Sequence, residues 1–174
     1  MAVDSDIKIV IPIKPDDFFA MMEIGLQSFG DLWDAEGFVA DLEKRNSSAR
    51  LAVRKVALPN WLLGFVVYQK EKATIEILSL AVLPAWWRRG YATAMVDYLK
   101  EIAGKGRRRR IEAKVRESDL TSQLFFRSCG FRAVRIEPNY YYEAGLDAYV
   151  MEWNKQGHVP KNRVFGVKTN ATDL

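Results

Sequence analysis

One cysteine, Cys129, and one histidine, His158, are all that the 174 residues contain of either type. A lone cysteine excludes an internal disulfide framework and a cysteine-built metal cage. A lone histidine argues against a multi-histidine metal centre and a Ser-His-Asp triad, so no metal is expected. Long apolar runs are missing as well. None approaches the roughly 20 residues that a membrane-crossing helix needs. Residues Met1–Asp6 lack the basic-then-apolar order of a secretory signal. The expected setting is the reducing cytoplasm, with no membrane partner. Repeats and low-complexity stretches are also absent.

Hydrophobic residues are 49% of the chain, enough for one domain of this length to bury a core. The formal net charge is +4, and the positive residues are densest at Arg88-Arg89 and Arg107–Arg110. Such clusters suit polyanions, either nucleic acid or the phosphates of a cofactor, or form a plain solvated basic face.

Apolar periodicity predicts a first strand over Ile7–Ile13. Pro15-Asp16-Asp17 then opens a helix whose apolar positions are Phe18, Met22, Leu26 and Phe29, stopped by Gly30. A second helix starts after Asp34 as N-cap and buries Phe38, Val39 and Leu42. Strands follow at Leu51–Val56, Trp61–Gln69 and Thr74–Val82, with Pro59-Asn60 as the hairpin turn between the first two. The order then changes to helix (Ala92–Ala103, closed by Gly104 and Gly106), strand (Arg110–Arg116) and helix (Leu120–Cys129, capped by Asp119 and stopped by Gly130). Strands at Phe131–Glu137 and Asp147–Trp153 complete an α/β (α+β) domain over residues 1–153. Residues 154–174 are more polar and read as a C-terminal extension.

The chemistry concentrates in Leu80-Ala81-Val82-Leu83-Pro84-Ala85-Trp86-Trp87-Arg88-Arg89-Gly90-Tyr91-Ala92-Thr93. This segment joins a strand to a helix through a basic turn. Helix N-termini leave N–H groups unpaired and their dipole favours anions. Gly90 and Ala92 let a phosphate approach the backbone closely, and Arg88 and Arg89 add charge. The same pattern also fits an ordinary strand–helix connection.

This turn resembles the acetyl-CoA motif of GNAT acetyltransferases, Gln/Arg-x-x-Gly-x-Gly/Ala. The stretch Val115–Phe131, closing in Gly130-Phe131, is similar to that superfamily's second signature. Asn139-Tyr140-Tyr141 and Asp147–Met151 resemble the closing strands of N-terminal protein acetyltransferases. Phe29-Gly30-Asp31-Leu32-Trp33 followed by Phe38 resembles the RimI branch, which acetylates ribosomal-protein alanine. The resemblance implies a GNAT fold, a mixed and mostly antiparallel twisted sheet of about seven strands with about four helices. It implies acetyl-CoA as co-substrate. The implied cofactor contacts are Leu80, Ala81, Val82, Trp87, Arg88, Arg89, Gly90, Tyr91, Ala92, Thr93, Asp119 and Phe126. Trp87 stands where the family prefers Gln or Arg, and Asp119 where it prefers Asn, so Asp119 also reads as a plain helix cap.

Direct attack by a neutral amine needs a base. Alternation along Thr74–Val82 puts Glu76 on one face with Leu78, Leu80 and Val82, where an acid can have a raised pKa. Its spacing also resembles the strand that carries the glutamate base of histone-type members. The base position of the RimI branch falls on Lys114, and Glu112, two residues earlier on the same face, is the second choice. The resemblance places a thiolate-protonating tyrosine at Phe126, which has no hydroxyl. Of Tyr140, Tyr141 and Tyr142, Tyr141 is the expected substrate contact. The backbone N–H of Val82 is the expected oxyanion donor. The acceptor implied is a protein or peptide N-terminus, a ribosomal protein among the options. A small amine (polyamine or antibiotic), a non-catalytic acyl-CoA-binding module and a nucleic-acid-binding domain are the other readings. The last ranks lowest, because no aromatic-interleaved or helix-turn-helix pattern accompanies the arginines.

Overall fold

The computed structural model describes residues 7–10, 17–30, 35–43, 48–55, 58–105 and 107–157. Seven strands form one sheet: β1 (Ile7–Val10), β2 (Ser48–Lys55), β3 (Leu58–Lys70), β4 (Thr74–Val82), β5 (Arg110–Arg116), β6 (Arg132–Tyr141) and β7 (Leu146–Asn154). Their spatial order is β1-β2-β3-β4-β5-β7-β6. Only β4 and β5 run parallel, and every other neighbouring pair is antiparallel. Among the described residues four α-helices accompany the sheet: α1 (Phe18–Phe29), α2 (Ala35–Glu43), α3 (Tyr91–Lys105) and α4 (Leu120–Ser128). Class, strand count and helix count match the expected architecture.

The two sheet faces have separate cores. On one, Met21 and Ile24 of α1 and Phe38 and Leu42 of α2 pack on Leu62, Phe65, Val67 and Ala81. On the other, Met95, Val96 and Leu99 of α3 and Phe126 of α4 pack on alternate residues of β3, β4, β5 and β7, including Ile75, Ile111 and Met151. Cys129 is buried in this second core.

Two local expectations change. Pro59 and Asn60 lie inside β3, so they are not the hairpin turn. The register passes from Lys55↔Leu58 to Arg54↔Leu62, leaving residues 59–61 as an irregularity. Proline lacks an N–H, so it marks a break in a ladder as readily as a turn. α3 runs through Gly104 to Lys105, two residues past its expected last residue. Asp34 and residues 158–174 lie outside the described residues, as does the Asp31–Trp33 portion of the RimI-like stretch. Among the described residues, no helix is long and apolar enough to cross a membrane.

Candidate active site

The strongest discontinuity in the sheet is between β4 and β5. Their parallel ladder runs from Thr74↔Arg110 to Ile77↔Ala113 and stops, although β4 continues to Val82 and β5 to Arg116. The strands therefore part, and their facing edges line a gap. Ladder alternation identifies the exposed groups. Leu83 N–H donates to Leu63 C=O, so the neighbouring pair Gly64↔Val82 is the one without mutual bonds. The peptide groups of Val82, and of Leu80 two residues back, thus face away from β3 and into the gap. On β5, Lys155 N–H donates to Arg109 C=O and Glu117 N–H to Asp147 C=O. These bonds assign the odd residues of β5 to β7 and turn the peptide groups of Lys114 and Arg116 toward the gap.

A bulge sits beside this opening. The β3–β4 register passes from Tyr68↔Ile77 to Val67↔Ser79, leaving Leu78 without a partner of its own. A bulge resets the alternation. Leu78 and Ala81 pack under α1 and α2, whereas Ile75, Ile77, Leu80 and Val82 belong to the core under α3. Glu76 therefore does not share a face with Leu80 and Val82, and the expected apolar surroundings of its carboxylate are not found. The same stretch buries the Ser79 hydroxyl, which has no partner among the described residues.

The surroundings of Glu76 are ionic. Glu76 lies directly beside Glu112 in the β4–β5 register, an arrangement that would be repulsive alone. Lys114 Nζ is 2.9 Å from Glu76 and 3.6 Å from Glu137, while Arg135 is 3.0 Å from Glu112 and 3.1 Å from Glu137. Five side chains from β4, β5 and β6 so form one alternating chain of charge. Burial pulls the Lys114 ammonium down, but its hydrogen bond to Glu76 and the charges of Glu76, Tyr140 and Glu137 outweigh that, holding its pKa above the usual lysine value. Lys114 is consequently a cation at neutral pH. Glu137 and Arg135 escaped sequence reading because they reach the site from a strand that is distant in the chain.

The β6–β7 connection folds onto the same face. Tyr141 O–H donates to Lys114 C=O at 3.2 Å, occupying a carbonyl that the parted strands leave open. Lys114 Nζ lies 4.7 Å from the Tyr140 ring centre, and the Arg116 guanidinium 4.7 Å from that of Tyr141. Burial raises the Tyr141 pKa and outweighs the opposing pull of Arg116, so its hydroxyl keeps the proton that it donates.

At the other end of the gap stands the basic turn. Arg88 and Gly90 both have positive φ, +61° and +86°. Left-handed residues in a turn converge backbone N–H groups into an anion-binding concavity. Arg88 adopts this geometry at a cost of about 1–2 kcal/mol, a kind of strain concentrated at functional sites. The first α3 bond is Ala94 N–H to Gly90 C=O, and no acidic side chain stands in the first turn to use the N-terminal dipole. A Cβ built on Gly90 would meet nothing within 4 Å, so the space before it is open. The Arg89 guanidinium lies 4.7 Å from the Trp86 ring centre. A helix start without acidic side chains, a left-handed turn and two strand edges with outward peptide groups fit a pyrophosphate and an extended amide-bearing arm.

Other expected contacts have different partners. The Trp87 indole N–H donates to Val82 C=O, which also accepts from the Ser28 hydroxyl. Trp87 thereby ties the turn to the strand end and leaves the Val82 N–H as the polar group facing the gap. Trp87→Phe removes this donor, and a stability loss of about 1 kcal/mol is expected in thermal unfolding. Asp119 accepts from Ser122 N–H at 2.9 Å as the N-cap of α4. Phe126 is 6% exposed, its ring 5.1 Å from that of Phe131, so it packs the core and presents little surface to any ligand. Among the described residues, no group of three or more His, Cys, Asp and Glu is placed to hold a metal.

Comparison with known proteins agrees with this geometry. The acetyltransferase (GNAT) family model matches residues 18–131. An uncharacterised Mycobacterium leprae protein is 35% identical over 81 residues, a match spanning 47% of this chain and only 22% of that protein. The ribosomal-protein-S18-alanine N-acetyltransferase of Escherichia coli superposes with a TM-score of 0.70 at 20% identity, over 91% of this chain and 99% of that one. NAA60 of Arabidopsis thaliana, in complex with acetyl-CoA, gives 0.70 at 19% identity over 85% and 99%. At such identities the structural likeness shows a common fold. With two thirds of its length matched by the family model, the chain belongs to the GNAT acetyltransferase family.

Proposed function

We propose that this acetyltransferase moves the acetyl group of acetyl-CoA to the α-amino group of a protein or peptide N-terminus by direct attack. The observation that carries the reading is the parting of β4 and β5. The basic turn of α3 lies at one end of the gap, and the Tyr140–Tyr142 stretch folds over Lys114 on the other side. Acetyl-CoA supplies an acetyl thioester that an amine can attack. The backbone of Gly90, Tyr91, Ala92 and Thr93, with Arg88 and Arg89, would hold its pyrophosphate. Outward peptide groups of Leu80 and Val82, flanking Ala81, would hold its amide-bearing arm. The Val82 N–H would meet the oxygen that gains charge as the amine attacks. Trp87 and Asp119 would support the pocket by tying down the turn and α4, and Phe126 by packing beneath it.

Glu76 is the proposed base, with Glu112 second. An α-amine has a pKa near about 8, so only modest help is needed at neutral pH. The Lys114 ammonium, 2.9 Å away, orients the Glu76 carboxylate. Phe126 has no hydroxyl, and water protonates the departing thiolate, whose pKa near about 8.5 makes it a fair leaving group. Tyr141, fastened to β5, would border the incoming peptide.

A polyamine acceptor would favour an excess of carboxylates. Here Glu76, Glu112 and Glu137 are accompanied by Lys114, Arg135 and Arg116, so the face has little net charge to offer a polycation. Thiol release from acetyl-CoA is expected to be at least about tenfold more efficient in kcat/KM with free N-terminal peptides than with spermidine, about 1.4 kcal/mol in barrier. The reverse order would support the small-amine reading instead. The proposed cellular setting is the cytoplasm, where a ribosomal protein is one candidate acceptor.

A further inference from the structure

The arginine run at Arg107–Arg110 is remote from the basic turn. α3 separates them, and its fifteen residues span about 20 Å at 1.5 Å per residue. The run is therefore not part of the anion site at Gly90. It is instead joined by cations from two other segments. Arg109 N–H donates to Ala73 C=O, and Arg108 Nε donates to Glu71 C=O at 2.6 Å, which brings in Lys70 at the end of β3 and Lys72 of the β3–β4 turn. Lys155, just past β7, donates its N–H to Arg109 C=O and its ammonium to Gly104 C=O.

The pole so formed carries four lysines, counting Lys105, and three arginines, with Arg110 turned instead toward Glu152. Two carboxylates oppose them: Glu71, bonded to Gln69, and Glu101, 3.8 Å from Lys105. Lys72, Arg107 and Arg109 are exposed and have no carboxylate partner among the described residues.

We infer that this pole is a second binding surface, for the phosphate backbone of duplex RNA. Guanidinium groups favour phosphate through their planar fork of donors. None of the exposed large apolar side chains of the described residues belongs to this pole, so it has nothing to insert into a lipid surface. The same lack removes the aromatic platforms that single strands stack on. The cations sit on turns, strand ends and the last residue of α3, so they form no series along the face of one helix of the kind that reads a DNA major groove. Contact with backbone and shape is the mode by which duplex RNA is held.

Fluorescence anisotropy with a labelled RNA duplex of about 16 base pairs tests this. Binding is expected to weaken by about a hundredfold or more between about 50 and 200 mM salt. The triple variant Lys72→Glu, Arg107→Glu, Arg109→Glu should lose RNA binding by at least about tenfold while keeping its thermal midpoint and its peptide acetylation. No binding to the duplex would overturn the inference, as would undiminished binding by the triple variant. Equal or tighter binding to the matching DNA duplex, or to phosphatidylglycerol vesicles, would overturn it in favour of that partner. Because peptide acetylation is read separately, failure here is distinct from failure of the proposed activity.

Discussion

Gly90→Val is expected to weaken acetyl-CoA binding by about a hundredfold, with the fold intact. Two separate effects are expected, one on stability and one on affinity. A side chain at φ +86° is strained, and strain of this kind amounts to roughly 1–3 kcal/mol. A branched Cβ would also fill the open space in front of the turn, where a phosphate would meet N–H groups in charge-assisted bonds of about 1.5–3 kcal/mol each. Loss of one such bond at the upper end of that range, about 3 kcal/mol, is about two decades in affinity, and the strain falls on the stability of the fold. Gly157→Val separates the two effects. Gly157 also has positive φ, +65°, and open surroundings, but it lies just past β7 at the opposite pole. That variant should show the backbone strain in thermal unfolding and leave acetyl-CoA affinity unchanged. Equal loss of affinity in both variants, by isothermal titration, would mean that Gly90 matters only for stability.

Glu76→Gln is expected to lower kcat/KM for a peptide acceptor by about 10²-fold near pH 7, within the usual range for loss of a general base. The deficit should shrink as the pH rises past about 8, because the acceptor amine then loses its proton without help. Glu112→Gln should cost much less if Glu76 is the base, and the order should invert if Glu112 is. Both substitutions disturb ion pairs, Glu76 with Lys114 and Glu112 with Arg135, so a general loss of stability would affect kcat equally at all pH values. The pH dependence is what distinguishes proton removal from that structural effect. A flat deficit would contradict the assignment.

The basic turn proposed to hold the pyrophosphate was legible in sequence because its signals are local. A glycine, two arginines and a helix start fall within a few residues, and backbone geometry converts them into a turn. The Arg110–Arg116 strand was legible for a similar reason, since its buried residues alternate without interruption. The face of Glu76 was not legible. In Glu76-Ile77-Leu78-Ser79-Leu80-Ala81-Val82 no glycine or proline marks the bulge, and the aliphatic run reads equally well in either register. The cost of that ambiguity is the whole environment of the proposed base. Only the sheet topology puts Lys114, Arg135 and Glu137 around it. Asp119 illustrates the reverse case. Capping is a contact within three residues, and the capping reading is the one its geometry supports. The basic pole was half visible, because four arginines in a row are conspicuous. Lys105 adjoins the run, but Lys70 and Lys72 precede Arg107 by 37 and 35 positions and Lys155 follows Arg109 by 46.

The central claim is acetyl transfer to α-amines, and mass spectrometry of the products tests it most directly. The purified protein would be incubated with acetyl-CoA and a mixed pool of free N-terminal peptides, the same peptides with blocked N-termini, and small amines. Acetylation confined to the free α-amino groups, located by fragment ions, is the expected result. Acetyl groups on lysine side chains of the blocked peptides, or on small amines alone, would contradict it.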